Sequence, residues 1–327
     1  MSSTEESRPI PRPPYDIELG AMLALMNEQL PPTMTPEMIP LMRAANITTA
    51  IDELLNGRDI VHEERSVPGP VGEPDLTVSI FRKREHVAGS PGIYHTHGGG
   101  MIIGDRFTGI EVMLDWVDLM DAVVVSVEYR LAPEHPDPAP VDDCYAGLVW
   151  MADHADELQF DASRLMIAGG SAGGGLAAGV TLMARDLGGP ELAASLLIYP
   201  MIDDRNETVS SHQYVGIGVW DRGSNDTGWD ALLGDRRHRD DVSIYAVPSR
   251  ARDLSNLPPT YIEVGSAEVF RDEDVAYASA IWAAGGICEL HVWPGAFHGA
   301  DMFAPQAAQN VVRSQVRTSW ARRILGA

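Results

Sequence analysis

Residues 165–178 read Leu-Met-Ile-Ala-Gly-Gly-Ser-Ala-Gly-Gly-Gly-Leu-Ala-Ala: an apolar run, a Gly-x-Ser-x-Gly turn, then a helix-forming stretch. A strand that turns this sharply into a helix pushes the Ser171 side chain out at the tip of the bend. Gly169 and Gly173 flank it because a side chain at either place would collide with a neighbouring strand or helix. The same turn leaves the backbone N–H of Ala172 in the first turn of a helix, where unpaired donors and the positive dipole end favour an anion. A nucleophile beside an anion site suits acyl transfer. The stretch also holds Gly173-x-Gly175-x-x-Ala178, a loose dinucleotide-binding fingerprint, so this segment alone leaves two chemistries open.

The rest of the chain supplies the frame. Residues 61–67 and 75–82 read as paired antiparallel strands, and Gly92–Thr96 as another. Short apolar runs suited to buried parallel strands follow at Ala122–Val127, Leu165–Ala168, Ser195–Tyr199, Thr260–Val264 and Ile287–Val292. Helical stretches near 109–120, 139–158, 172–187 and 272–284 separate them. Alternation of this kind predicts an α/β fold, a mostly parallel central sheet with helices on both faces. Two Met-rich amphipathic helices precede any strand: Ile17–Leu30, and one opened by Thr35-Pro36-Glu37 that runs to about Gly57. The interval 203–256 lacks a strand and carries Trp220 and Trp229. Both segments read as a cap over the active face. The expected division is 1–60 for the N-terminal cap helices, 61–202 and 257–327 for the two parts of the core, and 203–256 for a cap insertion.

Charge and composition exclude several functions. The formal net charge is −23, which disfavours nucleic acid. The acidity is dispersed rather than gathered in a tail. Lysine occurs once, as Lys83, which removes a P-loop lysine, a Ser-x-x-Lys dyad and a Tyr-x-x-x-Lys pair. Cys144 and Cys288 have no metal-knot or disulfide spacing and read as two buried free thiols. No signal peptide or membrane span is visible, so the expectation is a cytoplasmic protein with no membrane partner.

Ser171 needs a base and an oxyanion site. His298 lies in Trp-Pro-Gly-Ala-Phe-His-Gly just past a strand, where open α/β sheets place ligands. His97-Gly98-Gly99-Gly100 follows the strand ending at Thr96. Its glycines leave backbone N–H groups approachable from one side. Gly99, Gly100 and Ala172 together offer three donors, with His97 and Gly98 supporting the loop. His95-Thr-His97 could instead suggest a metal pair, but no further ligand follows at the right spacing.

With these motifs assembled, the chain resembles the bacterial hormone-sensitive-lipase-like carboxylesterases. The resemblance rests on His97–Gly100, the Gly-Gly-Ser-Ala-Gly-Gly elbow, Tyr129-Arg-Leu-Ala-Pro-Glu-His-Pro136 and Phe270-Arg-Asp-Glu273, and covers residues 75–327. The stretch 242–268 and the surroundings of Cys144 are similar to the heroin-esterase (acetylesterase) branch. The resemblance implies an α/β-hydrolase fold, a helical cap and hydrolysis of small short-acyl esters without a cofactor. No metal is expected from the ligand spacing, and the partner expectation is a small ester substrate, with a homodimer as the candidate assembly. It also implies the triad acid. The family motif Asp-x-Leu-Arg-Asp-Glu reads here Glu268-Val-Phe-Arg-Asp-Glu, so the role passes to Glu268, with Asp272 and Glu273 as nearby alternatives. The elbow departs from the family too, with Gly170 where Asp is usual. The other readings are a non-catalytic binding module on the same fold and a nucleotide-dependent oxidoreductase.

Overall fold

A computed structural model describes residues 10–29, 31–45 and 49–327. Eight strands form one sheet: β1 (Ile60–Val67), β2 (Leu76–Lys83), β3 (Ser90–Thr96), β4 (Val123–Glu128), β5 (Phe160–Gly170), β6 (Ala194–Ile198), β7 (Thr260–Gly265) and β8 (Cys288–Trp293). Their order is β1-β2-β4-β3-β5-β6-β7-β8. β1/β2 and β2/β4 are antiparallel, and every other neighbouring pair is parallel. This is the mostly parallel α/β sheet that the alternating apolar runs imply.

The helices are α1 (Ile17–Asn27), α2 (Ile39–Ala44), α3 (Ile51–Leu54), α4 (Glu111–Met120), α5 (Ala139–Asp153), α6 (Ala155–Leu158), α7 (Ala172–Leu187), α8 (Val209–Gln213), α9 (Arg222–Leu233), α10 (Arg271–Ala283), α11 (Ala300–Phe303) and α12 (Ala308–Leu325). The central one is α7. Every residue from Ala172 to Ala184 is buried, so its Gly- and Ala-rich sequence is a packing requirement on all sides. Gly173 makes the need concrete, because a Cβ there would sit 2.1 Å from the carbonyl oxygen of Thr96.

Strand order positions the site. The chain passes from β3 to β4 on one side of β3, then to β5 on the other. Loops leaving the C-terminal ends of β3 and β5 therefore diverge and leave a crevice between them. His97–Gly100 follows β3, and Ser171 follows β5.

Several elements differ from expectation. The stretch from Thr35 toward Gly57 is not one helix but a 3-10 turn at Pro36–Met38, then α2, then α3. Ala50 is extended at ψ 143°, and the Asn-Ile-Thr-Thr sequence before it is poor in helix formers. Leu30 and residues 46–48 lie outside the described residues. The helix expected over 139–158 breaks at His154, whose imidazole stacks on Trp150 and takes its carbonyl as partner at 2.8 Å. Cys144 is buried as expected, whereas Cys288 is only partly covered. The C-terminal helix α12 was not foreseen.

The N-terminal segment is fastened to the rest of the chain. Thr33 and Met34 bond to Asp221, Ser224 and Thr227 in the 203–256 interval. Arg43 of α2 donates to the carbonyls of Ile102 and Ala132, both at 2.7 Å. Leu19 and Leu23 of α1 pack with Ala296, Phe297 and Ala300 in a small core separate from the main one, which Met22 and Met26 adjoin.

Candidate active site

Ser171 occupies the elbow with φ +57° and ψ −125°, a strained conformation for a residue with a Cβ. Two backbone bonds over-determine it. Its N–H donates to Ile198 O at 2.9 Å, and its carbonyl accepts from Met201 N at 2.9 Å. The strain aims Oγ at the crevice, 2.9 Å from His298 Nε2.

The loop after β8 carries His298, and its Nδ1 lies 2.6 Å from Glu268 Oε2. The other carboxylate oxygen, Oε1, accepts from the Gly265 N–H at 2.6 Å. Both residues are buried. The imidazole stands edge-on between Tyr199 and Phe270, with ring centroids 4.7 and 5.0 Å away. Ser171, His298 and Glu268 thus form one continuous line of hydrogen-bonding atoms, drawn from the ends of β5, β8 and β7.

The alternative acids are committed elsewhere. Asp272 holds Arg271 Nε and Ser210 N, both at 2.7 Å; burial raises its pKa, but these bonds carry it below the ordinary value. Glu273 accepts from the N–H groups of Ile202 and Asp203, and burial, reinforced by Asp203, pushes its pKa well up. It lines a 480 Å³ cleft with Asp203, Arg205, Asp272 and Tyr277, which Ser171 does not share.

The glycine loop lies against the elbow. A Cβ on Gly98 would meet Gly170 O at 3.1 Å and Ser171 Cβ at 3.5 Å. Gly99 and Gly100 have φ +115° and +63°, and the Gly99 carbonyl accepts from Ile102 and Ile103 N–H in a tight turn. Among the described residues, the N–H groups of Gly99 and Gly100 find no backbone acceptor, and that of Ala172 opens α7. His97 braces the loop: Nδ1–H donates to Gly98 O at 2.8 Å, and the ring stacks on Tyr129 at 4.0 Å. Tyr129 OH donates in turn to His97 O at 2.8 Å. Burial lowers the His97 pKa against the raising pull of Glu128.

The pairing suggested by His95-Thr-His97 does not form. His95 turns to Ser126 Oγ at 2.9 Å, and burial lowers its pKa to about 3. Among the described residues, no group of three or more His, Cys, Asp or Glu is arranged to hold a metal ion. Nor is any described helix long and apolar enough to cross a membrane. At Gly170, where the family usually has Asp, a Cβ would meet nothing closer than Tyr199 Cε2 at 3.6 Å. The departure is not forced by space.

Comparison with known proteins decides the family. Residues 93–302 match the family described by the alpha/beta hydrolase fold. The chain belongs to the hormone-sensitive-lipase-like α/β-hydrolases. It is 36% identical over 252 residues to the carboxylesterase NlhH of Mycobacterium tuberculosis, covering 76% of this chain and 78% of that one. The esterase LipI of the same organism is 30% identical over 297 residues, covering 82% and 88%. Among solved structures, a bacterial heroin esterase superposes with a TM-score of 0.84 at 36% identity, over 95% of this chain and 98% of that one. This α/β-hydrolase is a carboxylic ester hydrolase.

Two features of this hydrolase escaped sequence reasoning: Tyr199, and the arginines of α12 that stand behind it. The available signal was the pair Arg313 and Arg317, four residues apart on a helix in a chain poor in cations.

Proposed function

We propose that the enzyme hydrolyses short-acyl esters through a covalent acyl-enzyme, with Ser171 as nucleophile, His298 as general base and Glu268 as the orienting acid. The observation that carries this reading is the line Ser171 Oγ–His298 Nε2, His298 Nδ1–Glu268 Oε2, at 2.9 and 2.6 Å. His298 takes the Ser171 proton as Oγ attacks the acyl carbon, then returns it to the departing alkoxide. Water repeats the cycle on the acyl-enzyme. Glu268, held by Gly265, keeps the imidazole proton on Nδ1 and stabilises the imidazolium. The N–H groups of Gly99, Gly100 and Ala172 receive the oxyanion, with His97 and Gly98 fixing the loop.

In this reading residues 1–60 and 203–256 form the cap over a core of 61–202 and 257–327. Their mutual bonds, and the Trp220 ring against Gly100, support it. The acyl group is short, acetyl to hexanoyl, because Trp220 stands beside the donor loop. The test is Ser171→Ala, expected to lower turnover by about 10⁶-fold with the fold intact. A serine-directed phosphonate should label Ser171 in the parent. Labelling at another serine, or maximal activity on dodecanoyl esters, would overturn the corresponding part of the reading.

A further inference from the structure

Behind His298 lies an ion cluster that the triad does not use. Arg313 and Arg317, one turn apart on α12, are fully buried with Glu263 of β7, and Asp301 of α11 closes the cluster from a partly covered position. Arg313 Nε donates to Glu263 Oε1 at 2.8 Å, Arg317 Nη2 donates to the same oxygen, and Arg317 Nη2 also reaches Asp301 Oδ2 at 2.7 Å. Burial opposes ionisation of Asp301, but the two guanidiniums outweigh it and hold its carboxyl well below the ordinary range. Such a cluster is weak evidence for stability, since desolvation offsets most of the attraction. Its geometry suggests another role.

One side chain joins the cluster to the imidazole. The Tyr199 OH donates to Asp301 Oδ1 at 2.9 Å, the Arg313 guanidinium sits 5.1 Å from its ring centroid, and the ring meets His298 edge-on at 4.7 Å. Its backbone is equally constrained: φ is +37°, in the left-handed region, and its N–H donates to Glu263 O at 2.6 Å. Its neighbours Ile198 and Met201 hold both backbone groups of Ser171. The cluster therefore touches all three arms of the site: β7 leading to Glu268, the segment after His298, and the turn that braces Ser171.

We propose that Tyr199 is a positioning residue for His298, a strut fixed by Asp301 and Arg313 that sets the imidazole between Ser171 and Glu268. This rests on the triad reading above. Tyr199→Ala would open a cavity and confound folding with positioning, so the test is Tyr199→Phe, which removes only the hydroxyl held by Asp301. The control is Tyr145→Phe, which deletes a comparable hydroxyl bond, to Gly189 O at 2.7 Å, outside the cluster.

On p-nitrophenyl acetate, Tyr199→Phe should lower kcat about tenfold with KM within about twofold, less than the roughly 10²-fold expected of a full ångström of misplacement. The rate of phosphonate modification of Ser171 should fall in parallel, while Tyr145→Phe leaves both within about twofold. A kcat for Tyr199→Phe within about twofold of the parent, a loss carried by KM alone, or an equal loss in Tyr145→Phe overturns the proposal. Ser171→Ala is assayed alongside. Residual activity there would defeat the triad reading itself, a result separable from any outcome at Tyr199.

Discussion

Glu268→Gln probes the least usual member of the site, and the structure fixes what the new amide can do. Glu268 has two partners, the Gly265 N–H at one oxygen and His298 Nδ1 at the other, each at 2.6 Å. Gly265 N–H can only donate, so the amide oxygen belongs there and the NH₂ faces His298. Nδ1 must then accept, which moves the ring proton to Nε2, where the proposed mechanism needs a base. Restoring the productive tautomer requires the flipped amide, with NH₂ against the Gly265 N–H and buried donors left unsatisfied. At about 1–3 kcal/mol for each of two such groups, the cost is roughly 2–6 kcal/mol. At about 1.36 kcal/mol per decade, that is roughly 30-fold to 3 × 10⁴-fold in rate. The analogous amide substitution in a serine protease costs about 10⁴-fold, at the upper part of this range. The assay is p-nitrophenyl acetate hydrolysis, with thermal melting to verify the fold. Glu268→Asp, shorter by one methylene, should lose less. Activity of Glu268→Gln within about tenfold of the parent would refute the reasoning, as would an equal loss in Asp272→Asn, whose carboxylate serves Arg271 and Ser210.

Gly99→Ala should lower kcat by about 10²–10³-fold, the loss expected for a displaced oxyanion donor. At φ +115° its Cβ would fall 2.0 Å from Ile103 O, so the loop must move; steady-state kinetics showing unchanged kcat would exclude a role for this loop. Trp220→Ala removes a ring that a Cβ on Gly100 would meet at 2.3 Å, and should raise the octanoyl-to-acetyl rate ratio about tenfold, to be read from an acyl-length series. Asp274 is fully buried with no partner for either oxygen among the described residues; burial, then Glu273 and Glu268, push its pKa well up. Unfolded, it ionises near about 3.9, so above that pH the native chain retains a proton the unfolded chain has lost, and stability falls as pH rises by about 1.4 kcal/mol per unit. Asp274→Asn should flatten this decline in urea melts in the pH range just above the unfolded-state pKa, and an unchanged slope there would remove the argument.

Local pattern determined most of the scaffold. Each of the eight strands was legible as a short apolar or alternating run; the central ones, buried on both faces, leave little choice of side chain, whereas β1 and β8 at the edges are only partly buried. Ser171 and the glycine loop were legible for a similar reason, since a turn that brings backbones within contact distance admits only glycine at Gly173 and Gly99. His298 and Glu268 were placed by motif. That Glu268, rather than Asp272 or Glu273, faces the imidazole depends on which side of the β7 turn each carboxylate leaves, and all three lie within six residues. Helix ends at Ala44 and Asp153 likewise escaped the periodic pattern, one preceding a stretch of weak helix formers and the other set by a side chain that takes a backbone carbonyl. The cluster behind His298 left one linear trace, the pair Arg313 and Arg317, which does not name its partners. Glu263, Asp301, Arg313 and Arg317 span more than fifty residues, and each alone looks like an ordinary surface charge in an acidic chain. Only the packing of α12 beside β7 and Tyr199 takes Glu263, Arg313 and Arg317 out of water and partly covers Asp301, and that packing makes the wall against which Tyr199 stands.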